Sequence, residues 1–237
     1  DVQKPEKMKN LRSLIYCLGL VLNLMAFPVS GQPIIDAKEL EKNFYKTRKT
    51  SEEIVKDYIW YSRTDVTKEG KVMDILIEEC RYGPNGKLQR RIINDQEAKL
   101  PSSFLVHQIA EEMKTKMVTF MNDLHVFLEK YSLDDATLGS AFFSKAKIGS
   151  PDPNGQVLVS SEDVIIKGDK LLWWIDLRDN SITKASIVTT FNGDQVEFTA
   201  TYKYIPSGLQ YMTFAEILVP LKSLIVQLHF YDYTKID

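Results

Sequence analysis

The chain holds only two cysteines, Cys17 and Cys80, among 237 residues. That rules out a disulfide framework and any zinc site built on paired cysteines. Histidine is nearly as scarce, with His107, His125 and His229 making three. His107–Glu111 and His125–Glu129 are i,i+4 pairs able to share a helix face. A zinc site wants at least three close protein ligands, however, and no HExxH occurs, so both pairs read as solvated helix surface. GxSxG, P-loop and GxGxxG patterns are missing, and no catalytic residue, metal or cofactor is expected. Positive charge is not in surplus: the formal net charge is −2, whereas nucleic-acid binders carry a basic excess. With 11 glycines and 9 prolines there is no long disordered or collagenous tract. Nor does any apolar run reach the roughly 20 residues that span a bilayer.

The longest apolar run extends from Leu14 to Phe27, interrupted only by Asn23. Met8-Lys9-Asn10-Leu11-Arg12 before it reads as a start with a positive n-region, and Pro28-Val29-Ser30-Gly31 after it offers small residues to a signal peptidase. A cleaved secretory signal with the cut between Gly31 and Gln32 is therefore expected, with residues 1–7 upstream of the natural start. Acylation at Cys17 is disfavoured by bulky Tyr16 and by the apolar residues that follow. Residues 32–237 are expected to form one domain.

What the chain has in abundance is alternation. In Leu171 to Arg178 one face collects Leu171, Trp173, Ile175 and Leu177, with Trp174 as the exception on the other. Val196, Phe198, Ala200, Tyr202 and Tyr204 form one face of the next long stretch, and Leu224, Val226, Leu228 and Phe230 one face of the last. A period of two marks antiparallel strands with one buried and one wet face. Gly168-Asp169, Asp179-Asn180, Asn192-Gly193-Asp194 and Pro206-Ser207-Gly208 punctuate them. Asn192-Gly193 is the strongest signal, since a two-residue hairpin needs positive φ at both central residues. Upstream, strands are expected over 57–67, 71–82 and 87–95, joined by Lys68-Glu69-Gly70 and Gly83-Pro84-Asn85-Gly86.

Two other stretches carry a helical period. Asp36 caps a helix through Tyr45 that runs to about Thr50 or resumes at Ser51-Glu52-Glu53, with Leu40, Phe44 and Tyr45 on its face. From Ser102 to Tyr131 one apolar stripe includes Leu105, Met113, Met117, Phe120, Leu124 and Leu128. It predicts a helix of about 30 residues, roughly 45 Å long. A second helix is expected over 134–147, so 102–147 reads as a helical insertion between strands; Ser150 to Gly155 is the clearest linker. The fold class is then α+β: a strongly curved antiparallel sheet of about nine strands, an unclosed β-barrel with helices on its concave side.

Chemistry-bearing residues are few. Cys80 shares a strand face with Leu76 and Tyr82 and reads as a partly buried thiol. Glu78-Glu79, Glu111-Glu112 and Asp134-Asp135 are adjacent in sequence, so their carboxylates diverge and make poor acid–base pairs. The aromatics on alternating strands are either plain core or the greasy wall of an incompletely filled cavity, closed by a helix bearing Met113, Met117 and Met121. In the second case Trp60, Met113, Met117, Phe120, Trp173, Phe198, Tyr202 and Phe230 line it, and flexible thioethers suit variable apolar ligands.

Two resemblances accompany this layout. The helix, three strands, helical insertion and C-terminal hairpins, with the run Leu172-Trp173-Trp174-Ile175-Asp176, Ile182-Thr183-Lys184, Asn192-Gly193-Asp194, Tyr202 and Pro220, resemble the periplasmic lipoprotein-carrier (LolA/LolB-like) fold. That resemblance implies an unclosed barrel wrapped round helices with a cavity for acyl chains. Tyr58 to Thr64, Arg81 to Gln89 and Tyr231-Asp232-Tyr233 resemble a family of secreted bacterial proteins, a likeness that brings no activity with it. The long central helix departs from the carriers, and none of their functional residues aligns here. The expectation is a periplasmic or secreted, non-enzymatic binder or carrier of a hydrophobic small molecule, lipid or lipoprotein acyl chain, for which peripheral or transient membrane contact is possible. The alternatives are an envelope interaction or structural module with a filled core, an enzyme with a dispersed site, or an outer-membrane barrel. The charged amphipathic helix argues against the last.

Overall fold

The computed structural model describes residues 35–97, 104–132 and 136–236, and of these the side chains other than 94–97, 104–114 and 136. The expected export signal, Cys17, the Gly31–Gln32 cut, the Ser102 or Ser103 helix cap and the side chains of His107 and Met113 lie outside the described residues.

Helix α1 (Ala37–Ile54) starts where Asp36 caps it, its side chain accepting from the Lys38 amide at 2.9 Å. It does not pause near Thr50. Ser51 stays helical because its hydroxyl both donates to the Gln210 carbonyl (2.7 Å) and accepts from the Gln210 amide (2.8 Å). Leu40, Phe44 and Ser51 are its buried residues, at helical spacing on one side.

Strands β1 (Tyr58–Lys68), β2 (Lys71–Tyr82) and β3 (Leu88–Glu97) follow as a meander. Next come α2 (Phe104–Glu129), a 3₁₀ turn at Lys130–Ser132, and α3 (Ala136–Lys145). The C-terminal strands are β4 (Lys147–Ile148), β5 (Gln156–Glu162), β6 (Lys170–Asp176), β7 (Ser181–Phe191), β8 (Asp194–Tyr204), β9 (Gln210–Val219) and β10 (Leu224–Lys235). Asn192 (φ 51°) and Gly193 (φ 87°) make the expected hairpin turn, and Glu69 (φ 51°) and Gly70 (φ 74°) repeat it. The additional strand is β4, at the point where the sequence pattern still reads as helix. Gly149 and Pro151 disfavour helix there, and the Gly149 amide bonds to the Leu158 carbonyl instead (2.8 Å).

Among the described residues, all ten strands form one antiparallel sheet in the order β3-β2-β1-β10-β9-β8-β7-β6-β5-β4. Pairing of β1 with β10 joins the two meanders, and β3 and β4 stand at opposite edges, so among the described residues the sheet is unclosed. The α+β class with a curved, open antiparallel sheet is therefore the architecture found. Five register shifts, between β1 and β10, β1 and β2, β2 and β3, β6 and β7, and β8 and β9, add local twist and bend it.

The helices cover one face through two apolar clusters. In the first, Leu40 and Phe44 of α1 and Phe142 and Phe143 of α3 meet Trp173 and its neighbours on β5–β7. In the second, Leu124 of α2 meets Val196, Val219, Leu224 and Val226. No helix among the described residues is long and apolar enough to cross a membrane.

Candidate ligand-binding cavity

Between helices and sheet, small inner-face residues leave room. Ala185 on β7 and Ala215 on β9 point inward beside larger neighbours, and a cavity of about 620 Å³ opens there. On the sheet side it is bordered by Trp173, Ile182, Ile187, Phe198, Tyr202 and Ile217, and further along by Leu228 and Phe230. Helix α1 contributes Phe44 and Arg48. The last turns of α2 contribute Met121 and Leu128, and Tyr131 comes from the 3₁₀ turn.

The roof is tied in place by polar contacts. Arg48 donates through Nη1 to the Ser132 carbonyl, linking α1 to the turn after α2. Tyr131 is buried; its hydroxyl donates to Asp169 Oδ2 at 2.9 Å and lies 2.7 Å from Thr189 Oγ1. Burial raises its pKa above the ordinary phenol value, with Asp169 acting in the same direction and the bond to Thr189 against it. Trp173 is held by ring contacts with Phe142 (4.7 Å) and Phe44 (4.9 Å). Tyr202 is only half-buried by surface, because one side of it borders the cavity, yet it lies deep enough that burial pushes its phenol up to about 12.

The far wall is polar. Thr64 and Arg90 border the cavity, and behind them Glu78 is 8% exposed with Oε2 3.2 Å from Arg90 Nη1. Ser62 and Cys80 complete this group, Ser62 Oγ lying 3.4 Å from Glu78 Oε2 and 3.7 Å from the thiol. Burial pushes the Cys80 thiol above its ordinary pKa, which disfavours the thiolate a nucleophile would need. At the rim, Arg48 Nε lies 3.2 Å from Glu52 Oε1, and His125 Nε2 lies 3.2 Å from Glu129 Oε1. Among the described residues no three metal-ligating side chains converge.

Of the residues singled out from sequence, Trp173, Phe198, Tyr202 and Phe230 border the cavity. Trp60 is buried beyond it, stacked at 5.5 Å on Tyr233, which does border it. Met117 and Phe120 pack instead on the second apolar cluster, where Phe120 meets Phe191 at 5.7 Å beneath Lys222. Among its described side chains, only those of the C-terminal turns of α2, from Met121 on, border the space, and the side chain of Met113 is not among them. Sequence reasoning missed Phe44, Arg48, Arg90 and Tyr131, and above all Ala185 and Ala215. Alternating small residues on the inner faces of strands were the one available signal for the last two.

No protein-family model matches the chain, and no curated protein matches it in sequence. Among solved structures it is similar to a DUF1329 family protein from Desulfovibrio piger, at 9% identity and TM-score 0.42, covering 84% of this chain and 92% of that one. It is also similar to a LolA superfamily protein from Nitrosomonas europaea, at 11% identity and TM-score 0.37, covering 86% and 94%. A domain ascribed to outer-membrane lipoprotein sorting in Vibrio parahaemolyticus aligns at 10% identity and TM-score 0.37, covering 84% and 93%.

Proposed function

We propose that the protein is a non-enzymatic binder or carrier of a hydrophobic ligand in the bacterial envelope, and that the ligand is an acyl chain, free or attached to a lipid or lipoprotein. The observation that carries this reading is the cavity: about 620 Å³, within the roughly 300–1,000 Å³ of ligand pockets, walled for the greater part by aromatic and aliphatic side chains with polar groups at one wall and the rim. A filled core would leave no such space beside Ala185 and Ala215.

The test uses Trp173, which borders the cavity, whereas Trp60 is buried behind Tyr233 and Trp174 lies under Lys184 at 4.9 Å. Titrating a palmitoyl-chain amphiphile should change the tryptophan emission with micromolar affinity, a typical scale once ordering costs are met. Trp173→Phe should abolish the emission change. Ala185→Phe should weaken binding at least about tenfold and leave the thermal midpoint nearly unchanged, because empty space accepts volume that a tight core refuses. No binding by wild type, together with a lowered midpoint for Ala185→Phe, would end this reading.

Export belongs to the same proposal. Expressed in a Gram-negative host from its own start, the protein should be recovered from the periplasm with an intact mass that begins at Gln32. A retained N-terminus or added acyl mass would contradict soluble export.

A further inference from the structure

The charged groups around the cavity come in matched pairs. Arg90 faces Glu78 and Arg48 faces Glu52, each at 3.2 Å, and the His125 imidazole lies 3.2 Å from Glu129 at the rim. Among the described lining residues, then, neither arginine lacks a nearby carboxylate, and Glu78 is almost wholly withdrawn from water behind Arg90. An incoming carboxylate would bring a negative charge toward Glu78 and compete with it for one guanidinium. Like charges in a partly dehydrated site disfavour the ionised form of the newcomer. An uncharged head meets no such opposition. Its hydroxyl or ester oxygens can accept from Arg90 donors that Glu78 does not use, while Thr64 offers a further donor and acceptor.

From this pairing we infer that the cavity selects an acyl chain with an uncharged polar head, an ester or acylglycerol, over a free fatty-acid anion. The inference rests on the acyl-chain reading above and specifies its ligand. The head lies at the Thr64–Arg90 wall and the chain runs past Phe230 and Phe198 toward Trp173.

The experiment compares monopalmitoylglycerol with palmitate, at a pH where the acid is ionised and below the micelle concentration of each. Wild type should bind the glycerol ester at least about tenfold more tightly, a difference near 1.4 kcal/mol. Glu78→Gln removes the opposing charge and frees Arg90, so the ratio of the two affinities should fall at least about tenfold. Glu52→Gln at the exposed rim should shift the ratio the same way by a smaller factor, and serves if Glu78→Gln does not fold. Palmitate binding as tightly as the ester to wild type would overturn the inference while leaving the acyl-chain reading intact. A ratio that neither variant moves would also overturn it, since head preference would then not come from these pairs. Failure of both ligands to bind would end the acyl-chain reading and this inference with it.

Discussion

Asp169→Ala is expected to cost about 3–5 kcal/mol, read as a lowered urea midpoint with unchanged slope. Asp169 is 0% exposed. Its carboxylate accepts from three successive backbone amides, Val164 at 2.7 Å and Ile165 and Ile166 at 2.9 Å, and from the Tyr131 hydroxyl at 2.9 Å. Alanine would strand three amide donors in a place with little water and leave the Tyr131 hydroxyl only Thr189 as a partner. Leaving a buried donor unsatisfied costs about 1–3 kcal/mol, and the sum is moderated by relaxation of the 163–168 loop. Asp169→Asn keeps one acceptor oxygen and should cost about half as much. Tyr131→Phe removes one donor and the bond to Thr189, so about 1–2 kcal/mol is expected. Because Tyr131 also borders the cavity, Asp169→Ala should weaken ligand binding beyond its effect on stability, whereas a loop loosened elsewhere would not. Midpoints for all three variants within about 1 kcal/mol of wild type would show that the carboxylate does not hold this loop.

That anchor shows where the sequence could be read and where it could not. Gly168-Asp169 was legible as a turn, because glycine with φ 88° reverses the chain. Nothing local revealed that the same aspartate is the buried acceptor for a tyrosine 38 positions away. Strand faces were legible for the same local reason. Leu171, Trp173 and Ile175 are buried as their alternation requires, and the exception, Trp174, is outward-facing under a lysine that shields its ring. Register was less legible. The shift between Thr201 and Tyr202 leaves Tyr202 opposite Met212 on the cavity side, and Phe214 meets His229 away from it. A bulge adds one residue to one strand, and a single sequence carries no mark of it. The stripe on α2 was visible too, but which of its turns borders the cavity depends on how the helix crosses the sheet. That is set by long-range packing of Leu124 and Met117 against β8–β10. The cavity was hardest of all, being a volume that remains after packing and not a residue that announces itself.

Val196→Asp should cost about 3–5 kcal/mol, while Thr190→Asp stays within about 1 kcal/mol. The two positions lie one register step apart in the β7–β8 ladder, where Val196 faces Thr189 and Thr190 faces Gln195. Val196 is 0% exposed in the cluster with Leu124, Val219 and Leu224, where a carboxylate would lose its water among apolar side chains, and the nearby Lys222 ammonium is already engaged by Asp194 at 2.9 Å. Thr190 is exposed on the outer face, where a carboxylate keeps its water. A one-residue slip would exchange the two faces, so equal urea midpoints would show that this register is wrong. Val196 does not border the cavity, which makes it useful a second way. Any ligand that binds only the folded protein raises stability by an amount set by its concentration relative to its dissociation constant. Saturating monopalmitoylglycerol should therefore lift wild type and Val196→Asp by the same increment, and Ala185→Phe, whose added ring occupies the ligand's place, by much less. A larger loss of that increment in Val196→Asp than in Ala185→Phe would place the ligand among the side chains packed on α2 instead of in the space beside Ala185.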